Sequence, residues 1–397
     1  MTRVAILNQY FYPENVTSAT LAFELAVGLA QKGYDVEAIT GMPHEYHDGD
    51  VPKNETINGV SIKRIEYSFH DRARKSGRIR NYFSFFFSIY RNRRLLRDID
   101  VLIVYSSPPV NPIVPALFSR RYGYKMIYVV YDLYPDIAFK FGYMRENGIC
   151  SRLFEHINKF VYSRCASIVV LSTEMKKYFS KHKGYGDKVV VIPNWYSDTD
   201  ENTKPVKSRR DVFRVLYGGN LGIVQDIDTL LDGIEKLSGH DDIEFNFATH
   251  GNRKQYFFDE IKRRGITSVT DLGHLRKTDY DKSIRSANLA IISVDKKIAG
   301  LASPSKYYSY LAKSTPVVFI GPRSMDIAKE IIHEDLGYVV DNLDAQGFTD
   351  AIIHAKNHPD ELQTMQRNVR NVFTAKYTKA TGIDKYACLI NEIAGED

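Results

Sequence analysis

The chain has 397 residues, 44% hydrophobic and 26% charged, and this length and composition fit a soluble globular protein with two domains. No stretch approaches the ~18 consecutive apolar residues of a membrane span, and the N-terminus does not resemble a secretory signal. The net charge of +6 is concentrated, because nine basic residues and one acidic residue lie between positions 71 and 97. Three separated cysteines, Cys150, Cys165 and Cys388, exclude a Cys-x-x-Cys metal site and favour free thiols in a reducing cytoplasm.

The N-terminal residues predict alternating strands and helices. A strand at 4–7, a helix at 18–31 and a strand at 35–40 form a β-α-β unit, whose right-handed crossover implies a parallel sheet. The loop after the first strand lacks Gly-x-Gly-x-x-Gly, which argues against a dinucleotide-binding turn. The loop after the second strand carries His44, a candidate substrate contact, although a single loop histidine is more often simply exposed.

Residues 81–90 form an aromatic block, Asn-Tyr-Phe-Ser-Phe-Phe-Phe-Ser-Ile-Tyr, with arginines on both sides. The block is too short to cross a bilayer, but an aromatic face with basic flanks is typical of a helix lying on an anionic membrane surface. The residues predicted to contact the membrane are Arg78, Arg80, Phe83, Phe86, Phe87, Arg91 and Arg94. Two alternatives remain: Phe83, Phe86, Phe87 and Tyr90 form the core face of a helix, or the arginines and aromatics bind single-stranded nucleic acid.

The rest of the first half continues the α/β pattern. Strands are predicted at 60–67, 100–105, 126–130, 166–171 and 189–192, and an amphipathic helix at 149–164. Asp132 follows the strand at 126–130, at the edge where α/β folds place ligand contacts, or it caps the next helix. Ser172 begins a further helix.

A polar segment at 198–211, with Pro205 and alternating charges, predicts a linker between a first domain at 1–197 and a second at 212–380. The second domain begins with a strand that runs into Gly218 and Gly219, where the missing Cβ lets the backbone approach a ligand. Later strands are predicted at 243–249, 289–294, 317–320 and 336–340, and a last helix from about 381 to 393.

Residues 300–320 carry the predicted site of the second domain. Ser303 is a good N-cap and Pro304 suits the first helical position, so a helix is predicted to start there and to lead into a buried strand. Lys306 would lie in its first turn, where a cation is unfavourable for the helix unless a polyanion such as a diphosphate binds. The alternative is a solvated lysine on a capped helix.

The segments Pro304-Ser305-Lys306, Tyr310-Leu311-Ala312 and Thr315-Pro316-Val317 resemble the donor-site helix of family 4 glycosyltransferases. The turns at 131–136 and 193–195 and the glycine turn at 216–225 resemble the same family. The resemblance covers nearly the whole chain and is to the branch that makes bacterial O-antigen, capsule and colanic acid, including fucosyl and N-acetylfucosaminyl transferases. It implies the α/β GT-B fold: two Rossmann-like domains with parallel sheets facing across a cleft, and a C-terminal helix at 381–397 that crosses back to the first domain.

The resemblance also implies roles for individual residues. Lys306 and Asp132 are the catalytic candidates. The expected donor-binding residues are Gly218, Gly219, Asn220, Gln225, His250, Gly251, Gly273, His274, Ser303, Ser305 and Lys306. The expected acceptor-binding residues are Asn15, Thr17, Ser18, His44 and Asp132. Neither a metal nor another cofactor is expected, because no Asp-x-Asp pair lies in a plausible metal-binding loop.

Two departures from the family pattern bear on the chemistry. Asn220 and Gln225 stand where most members have phosphate-binding Arg and Lys, which leaves Lys306 as the expected source of positive charge. Leu301 and Ser309 stand where many members have a pair of glutamates, so no carboxylate nucleophile or base is assigned there.

The sequence therefore predicts a retaining, metal-independent glycosyltransferase that uses a nucleotide sugar, a UDP-sugar before a GDP-sugar. The expected acceptor is a polyprenyl-diphosphate-linked or other glycan in bacterial surface polysaccharide synthesis. The protein is expected in the cytoplasm, bound peripherally to the anionic inner face of the plasma membrane, with no nucleic acid partner. The alternatives are a nucleotide-sugar epimerase of GT-B fold and a non-catalytic, membrane-associated protein that binds a sugar nucleotide.

Overall fold

The computed structural model describes residues 1–14, 16–44, 50–70, 75–146, 148–198 and 212–395. The chain divides into two compact units. The first contains Met1–Asn194, Leu301–Ser303 and Lys379–Asp397, and the second contains Trp195–Gly300 and Pro304–Thr378. The first unit ends slightly before the boundary expected at 197, and the expected linker, apart from Asp198, lies outside the described residues.

An eight-stranded sheet forms the centre of the first unit. Its strands are β1 (Arg3–Asn8), β2 (Asp35–Gly41), β3 (Asn54–Ile57), β4 (Val60–Ile65), β5 (Val101–Tyr105), β6 (Lys125–Val130), β7 (Cys165–Val170) and β8 (Val189–Val191). In the order β3-β4-β2-β1-β5-β6-β7-β8, neighbours pair in parallel except β3 and β4. The helices are α1 (Thr17–Gln31), α2 (Lys75–Arg91), α3 (Ile113–Tyr122), α4 (Asp136–Lys140), α5 (Ile149–Arg164) and α6 (Thr173–Lys183), with one more from the C-terminus.

A six-stranded, wholly parallel sheet forms the centre of the second unit. Its strands are β9 (Phe213–Asn220), β10 (Ile243–His250), β11 (Val269–Asp271), β12 (Leu289–Ser293), β13 (Val317–Ile320) and β14 (Gly337–Val340), in the order β11-β10-β9-β12-β13-β14. The helices are α7 (Ile227–Lys236), α8 (Lys254–Arg263), α9 (Lys277–Ser286), α10 (Lys306–Ala312), α11 (Asp326–His333), α12 (Ala345–Asn357) and α13 (Pro359–Lys376). The prediction of two α/β domains with parallel sheets is confirmed.

The central strands of both sheets are buried along their whole length. Val101–Tyr105 and Leu289–Ser293 contain no exposed residue, as expected for parallel strands, which bury both faces. Polar side chains at the carboxyl ends of such strands do not help to bury the faces of the sheet. Asp132, shortly after β6, and His250, at the end of β10, are therefore candidates for function.

Several local predictions are confirmed. Helix α5 has the predicted bounds, and so does strand β13. Ser172 caps α6, because its hydroxyl accepts a hydrogen bond of 3.2 Å from the Met175 amide.

The predicted start of the donor-site helix is wrong. Helix α10 begins at Lys306, and neither Ser303 as N-cap nor Pro304 as first residue is borne out. Ser303 belongs to the first unit, where the neighbouring Ala302 forms a β-bridge with Asp132. The Leu133 amide also donates to the Leu301 carbonyl at 2.9 Å. This pairing ties residues 301 and 302 to the segment after β6, and the helix begins only four residues beyond Ala302.

The C-terminal helix α14 (Lys379–Ala394) packs in the first unit, as predicted. The Tyr34 hydroxyl donates to Asn391 Oδ1, and Lys32 pairs with Asp384 at 2.6 Å. Gly28 of α1 faces Ile383 so closely that a Cβ would overlap its side chain. A glycine at this point lets α1 and α14 approach each other.

Candidate functional sites in the two units

Strand β9 of the second unit ends in two glycines with different environments. Gly219 has φ +91°, and an added Cβ would have only Lys306 Cε, at 3.8 Å, within 4 Å. Gly218 donates its N–H to the Tyr310 hydroxyl at 2.9 Å, and a Cβ there would overlap the Tyr280 ring. Gly219 therefore leaves open backbone beside Lys306. The Gly218 amide already has a partner in the protein, and its role in donor binding stays a prediction.

Lys306 is the central charged group of this region. Its Nζ is buried, has no hydrogen-bond partner among the described residues, and lies 3.8 Å from the centroid of the Tyr217 ring. Burial lowers the pKa of Lys306 to about 7. The Tyr217 hydroxyl donates to the Asn220 carbonyl at 2.9 Å, so one tyrosine supports both the lysine and the end of β9.

Two histidines lie near this lysine. The rings of His250 and His274 meet edge to face with centroids 5.4 Å apart. Partial burial, and then the positive charges of His274, Lys306 and Lys254, lower the pKa of His250. Lys254 pairs with Asp271 at 2.8 Å. The predicted donor residues Lys306, His250 and His274 are thus brought together, and all three are basic.

The glycines of this region have distinct roles. Gly251 has φ +120° and lies against Asn220, whose Oδ1 would overlap a Cβ at that position. Gly273 has φ +68° and open space around it, and its amide donates to Asp271 Oδ1 at 2.8 Å. Gln225 accepts a hydrogen bond of 2.7 Å from the Gly222 amide, so it closes the loop that follows Asn220.

The two serines that were predicted to bind the donor, Ser303 and Ser305, belong to different units. Ser305 directly precedes α10 and makes no side-chain cap hydrogen bond, and Ser303 lies in the first unit. The two positions that lack glutamates are filled by packing residues: Leu301 is buried in the first unit, and Ser309 is buried with its hydroxyl donating to the Lys306 carbonyl at 2.8 Å. Neither position supplies a carboxylate.

Sequence reasoning missed the tyrosines that build this region. Tyr217 lies under Lys306, while Tyr280 and Tyr310 pack against Gly218. Tyr217 and Tyr310 are completely buried, and their only signal in the sequence is that a strand and a helix core contain phenols in place of phenylalanines. A buried phenol needs a hydrogen-bond partner, which here is backbone of β9 or its end.

A small cavity in the first unit lies at the carboxyl ends of β5 and β6. Its lining includes Ser106, Tyr128, Asp132, Tyr134, Asn158 and Tyr162. The Asp132 carboxyl is open to solvent but crowded by protein, and this desolvation raises its pKa to about 6. It makes no hydrogen bond or ion pair with another side chain in the part of the chain that the structure describes.

Tyr134 connects this cavity with helix α2. Burial, followed by the proximity of Asp132 and Tyr82, raises the pKa of Tyr134 to about 12, while the nearby Arg78 acts in the opposite direction. The Tyr134 carbonyl accepts a hydrogen bond of 2.8 Å from Asn158 on α5. The basic start of α2 therefore lies within electrostatic range of the Asp132 cavity.

The other described acceptor candidates lie at the start of α1, which follows β1, and in the loop after β2. Thr17 and Ser18 begin α1, and the Ser18 carbonyl accepts a hydrogen bond of 3.3 Å from Asn8. The His44 ring stacks on Phe69 with centroids 4.8 Å apart. Asn15 lies outside the described residues.

Helix α2 has two apolar faces. Asn81, Phe85 and Ile89 are buried at helical spacing, with Phe85 0% exposed, whereas Phe83 is 53% and Phe87 58% exposed. The alternative in which Phe83, Phe87 and Tyr90 form the core face is therefore wrong, and Phe86 is only partly buried. The exposed large apolar residues of this helix are Ile79, Phe83, Phe87 and Tyr90.

The predicted basic residues flank the exposed apolar face of α2, which consists of Ile79, Phe83, Phe87 and Tyr90. Arg78, Arg80, Arg91 and Arg94 are exposed, and the Arg93 guanidinium lies 5.0 Å from the Tyr90 ring centroid. The structure thus brings together the aromatic and basic residues that the sequence assigned to one surface. Among the described helices, none is both long enough and apolar enough to cross a bilayer.

Comparisons with known proteins agree with this architecture. Residues 18–195 match the family described as "Glycosyl transferase 4-like domain". The probable glycosyltransferase WbjE of Pseudomonas aeruginosa is 21% identical over 328 residues, which cover 79% of each chain.

Two solved structures share the whole fold. Sucrose-phosphate synthase from Thermosynechococcus elongatus has a TM-score of 0.80 at 13% identity, covering 100% of both chains. Anabaena Alr3699/HepE in complex with UDP has a TM-score of 0.71 at 12% identity, covering 99% of this chain and 100% of that one. The fold is therefore GT-B.

These findings define the class of protein. The matched domain and WbjE indicate that this chain is a glycosyltransferase enzyme, and the solved structures share its GT-B fold. This agrees with the family that the sequence resembles.

Proposed function

We propose that this protein is a retaining, metal-independent glycosyltransferase that moves a sugar from a UDP-sugar to a polyprenyl-diphosphate-linked glycan at the inner membrane face. The observation that carries the proposal is the buried Nζ of Lys306, which has no acceptor among the residues that the structure describes and lies beside the open backbone of Gly219. A group of this kind is the feature expected of a site that binds a polyanion.

Transfer requires that the negative charge growing on the leaving diphosphate be stabilised. Lys306 would contact the diphosphate, with the basic side chains of His250, His274 and Lys254 around it. Fixed donors aimed at developing charge contribute roughly 3 kcal/mol each in measured sites. The UDP complex of the Anabaena neighbour, which has the same fold, supports uracil as the base of the donor nucleotide.

Two Asp-x-Asp pairs of the sequence, at 198–200 and 226–228, each contain an aspartate that has other partners in the protein. Asp226 caps α7 by accepting from Thr229 and also accepts from Asn342 at 2.8 Å. Asp198 pairs with Lys313 at 2.6 Å and with Arg370 at 2.8 Å. Because both carboxylates are neutralised or hydrogen-bonded within the second unit, they support a mechanism in which lysine, and no metal, neutralises the diphosphate.

The acceptor would bind in the first unit. The Asp132 carboxylate, which has no side-chain partner within the described part of the chain, would accept a hydrogen bond from the acceptor hydroxyl and orient it. In the retaining reaction proposed here, the bond between the anomeric carbon and the phosphate oxygen breaks. The acceptor oxygen bonds to that carbon on the same face, and its proton passes to the departing phosphate. No glutamate is needed at Leu301 or Ser309.

The lipid part of the acceptor accounts for helix α2. Phe83 and Phe87 are more than half exposed and are flanked by arginines, a surface suited to the interface of an anionic bilayer. Each basic residue near such a surface contributes about 1 kcal/mol. Arg78 links this surface to Tyr134 at the Asp132 cavity, which supports an acceptor that arrives on a lipid carrier.

The test is a panel of UDP- and GDP-sugars, incubated with the protein with and without a polyprenyl-diphosphate-linked acceptor. We expect nucleotide release from a UDP-sugar that depends on the acceptor. Conversion of the free sugar nucleotide into an epimer would replace the proposal by the epimerase alternative. Tight binding without any turnover would replace it by the non-catalytic binding protein.

A further inference from the structure

The environment of Lys306 is unusual for a charged lysine. An ammonium group has three N–H donors, yet Nζ has no acceptor among the described residues and faces the Tyr217 ring. A buried charge without hydrogen bonds or a counterion is strongly unfavourable, and a lysine in that position loses its proton instead.

The surrounding titratable groups do not change this balance. His250 on β10, His274 after β11 and Lys254 at the start of α8 are all basic, and Tyr217, Tyr280 and Tyr310 are phenols. The nearby acid, Asp271, is paired with Lys254 at 2.8 Å. No described carboxylate pairs with Lys306 in the second unit, and its basic neighbours oppose a further positive charge.

We infer that, above neutral pH, Lys306 is neutral in the empty site and takes up one proton from solvent when a diphosphate binds. The inference rests on the proposed function, since it assumes that this site receives the diphosphate of a sugar nucleotide. The proton converts the amine into an ammonium whose three donors then have phosphate oxygens to meet. Release of the nucleotide product returns the proton to solvent.

This coupling makes donor affinity depend on pH in a defined window. In the free protein the pKa of Lys306 is about 7, so above that pH the amine must be protonated at a cost before it can bind. The dissociation constant should then rise about tenfold per pH unit. Below pH 7 the amine is already charged, so the part of the pH dependence of UDP affinity that comes from Lys306 should disappear.

The experiment measures UDP binding to the full chain by titration calorimetry between pH 7.5 and 9, where the UDP phosphates are already fully ionised. Measurement in buffers of different ionisation enthalpy gives the number of protons bound. We expect about 0.9 protons taken up at pH 8, because a group with a pKa of about 7 is then about 90% neutral. We also expect the tenfold change in dissociation constant per pH unit.

Lys306→Arg separates this lysine from its neighbours. A guanidinium keeps its proton throughout this range, so the variant should bind UDP with no proton uptake and a flat pH profile. His250→Gln and His274→Gln should keep the proton uptake of the unmodified protein, whatever their affinity. Loss of uptake in either histidine variant would assign the proton to that histidine and overturn the inference.

The outcomes also distinguish this inference from the proposed function. If UDP binds to the unmodified protein with a dissociation constant that is constant from pH 7.5 to 9, the inference is wrong and the donor site stands. If UDP and GDP fail to bind at any pH, the proposed function itself is wrong.

Discussion

The two units have the same architecture, but their candidate sites differ in chemistry. Each places polar residues at the carboxyl ends of parallel strands, where α/β sheets bind ligands. In the second unit these residues are Lys306, His250 and His274, a group of basic side chains beside open glycine backbone. In the first unit they are Asp132 and the tyrosines around it, an acidic cavity rich in hydroxyl groups.

The difference shows that the fold fixes where a ligand binds and the side chains fix which ligand it is. A group of basic side chains suits a diphosphate, and a carboxylate among phenols suits the hydroxyl groups of a sugar. If the two sites are separate in function, a substitution in one should leave ligand binding at the other unchanged.

Replacement of Lys306 should have the largest effect. Lys306→Ala removes the only positive charge proposed to contact the diphosphate, so turnover should fall roughly 10²–10³-fold and UDP affinity should fall with it. Calorimetry and a nucleotide-release assay measure both. Lys296→Ala, at an exposed lysine a short way before α10, is the matched control and should behave like the unmodified protein.

Asp132→Asn should affect turnover without affecting the donor site. Loss of the carboxylate that orients the acceptor should lower turnover about 10²-fold, while the dissociation constant of UDP stays the same. The pKa of Asp132 is about 6, so in the unmodified protein the carboxylate is charged above that pH and turnover should decline as the pH falls below it. The variant should lack this decline. A change in UDP affinity would mean that the two sites are not distinct.

The exposed face of α2 should be required for membrane binding. Phe83→Ser combined with Phe87→Ser removes two aromatic rings from the exposed face, and binding to phosphatidylglycerol vesicles should fall at least tenfold in a sedimentation assay. Tyr256→Ser, at an exposed aromatic residue of the second unit, is the control and should leave vesicle binding intact. Equal binding to neutral phosphatidylcholine vesicles would contradict the role of the arginines.

The smallest expected effect concerns stability. The pKa of Lys306 lies below its ordinary value, so between about pH 7 and pH 10 the unfolded chain binds more protons than the folded one, and stability rises with pH. Lys306→Met should abolish that rise and raise the free energy of unfolding near pH 7 by roughly 1–2 kcal/mol. Thermal unfolding of the free protein measures it, with Lys296→Met as the control. A destabilised Lys306→Met variant would indicate a structural lysine.

The sequence predicted those features that depend on neighbouring residues. The bounds of α5 and β13 follow from local periodicity and from the apolar run of a buried strand. The cap at Ser172 follows from its side-chain chemistry. The family resemblance also predicted that Lys306 and the glycine turn of β9 belong to one donor site, although the two segments are far apart in the sequence.

Other features depend on contacts between residues far apart in the chain. Ser303 has the chemistry of a cap, but the neighbouring Ala302 pairs with the distant Asp132, and the helix begins only at Lys306. On α2, consecutive aromatic residues give no periodicity, so the sequence did not reveal that Phe85 and not Phe86 faces the core. The position of Tyr217 under Lys306 likewise depends on packing that no local pattern encodes.

The most direct test of the central claim is a crystal structure of the full chain with UDP. The account predicts electron density for the diphosphate within hydrogen-bonding distance of Lys306 Nζ and beside the Gly219 backbone. A diphosphate bound elsewhere, with Lys306 Nζ still lacking an acceptor, would contradict it.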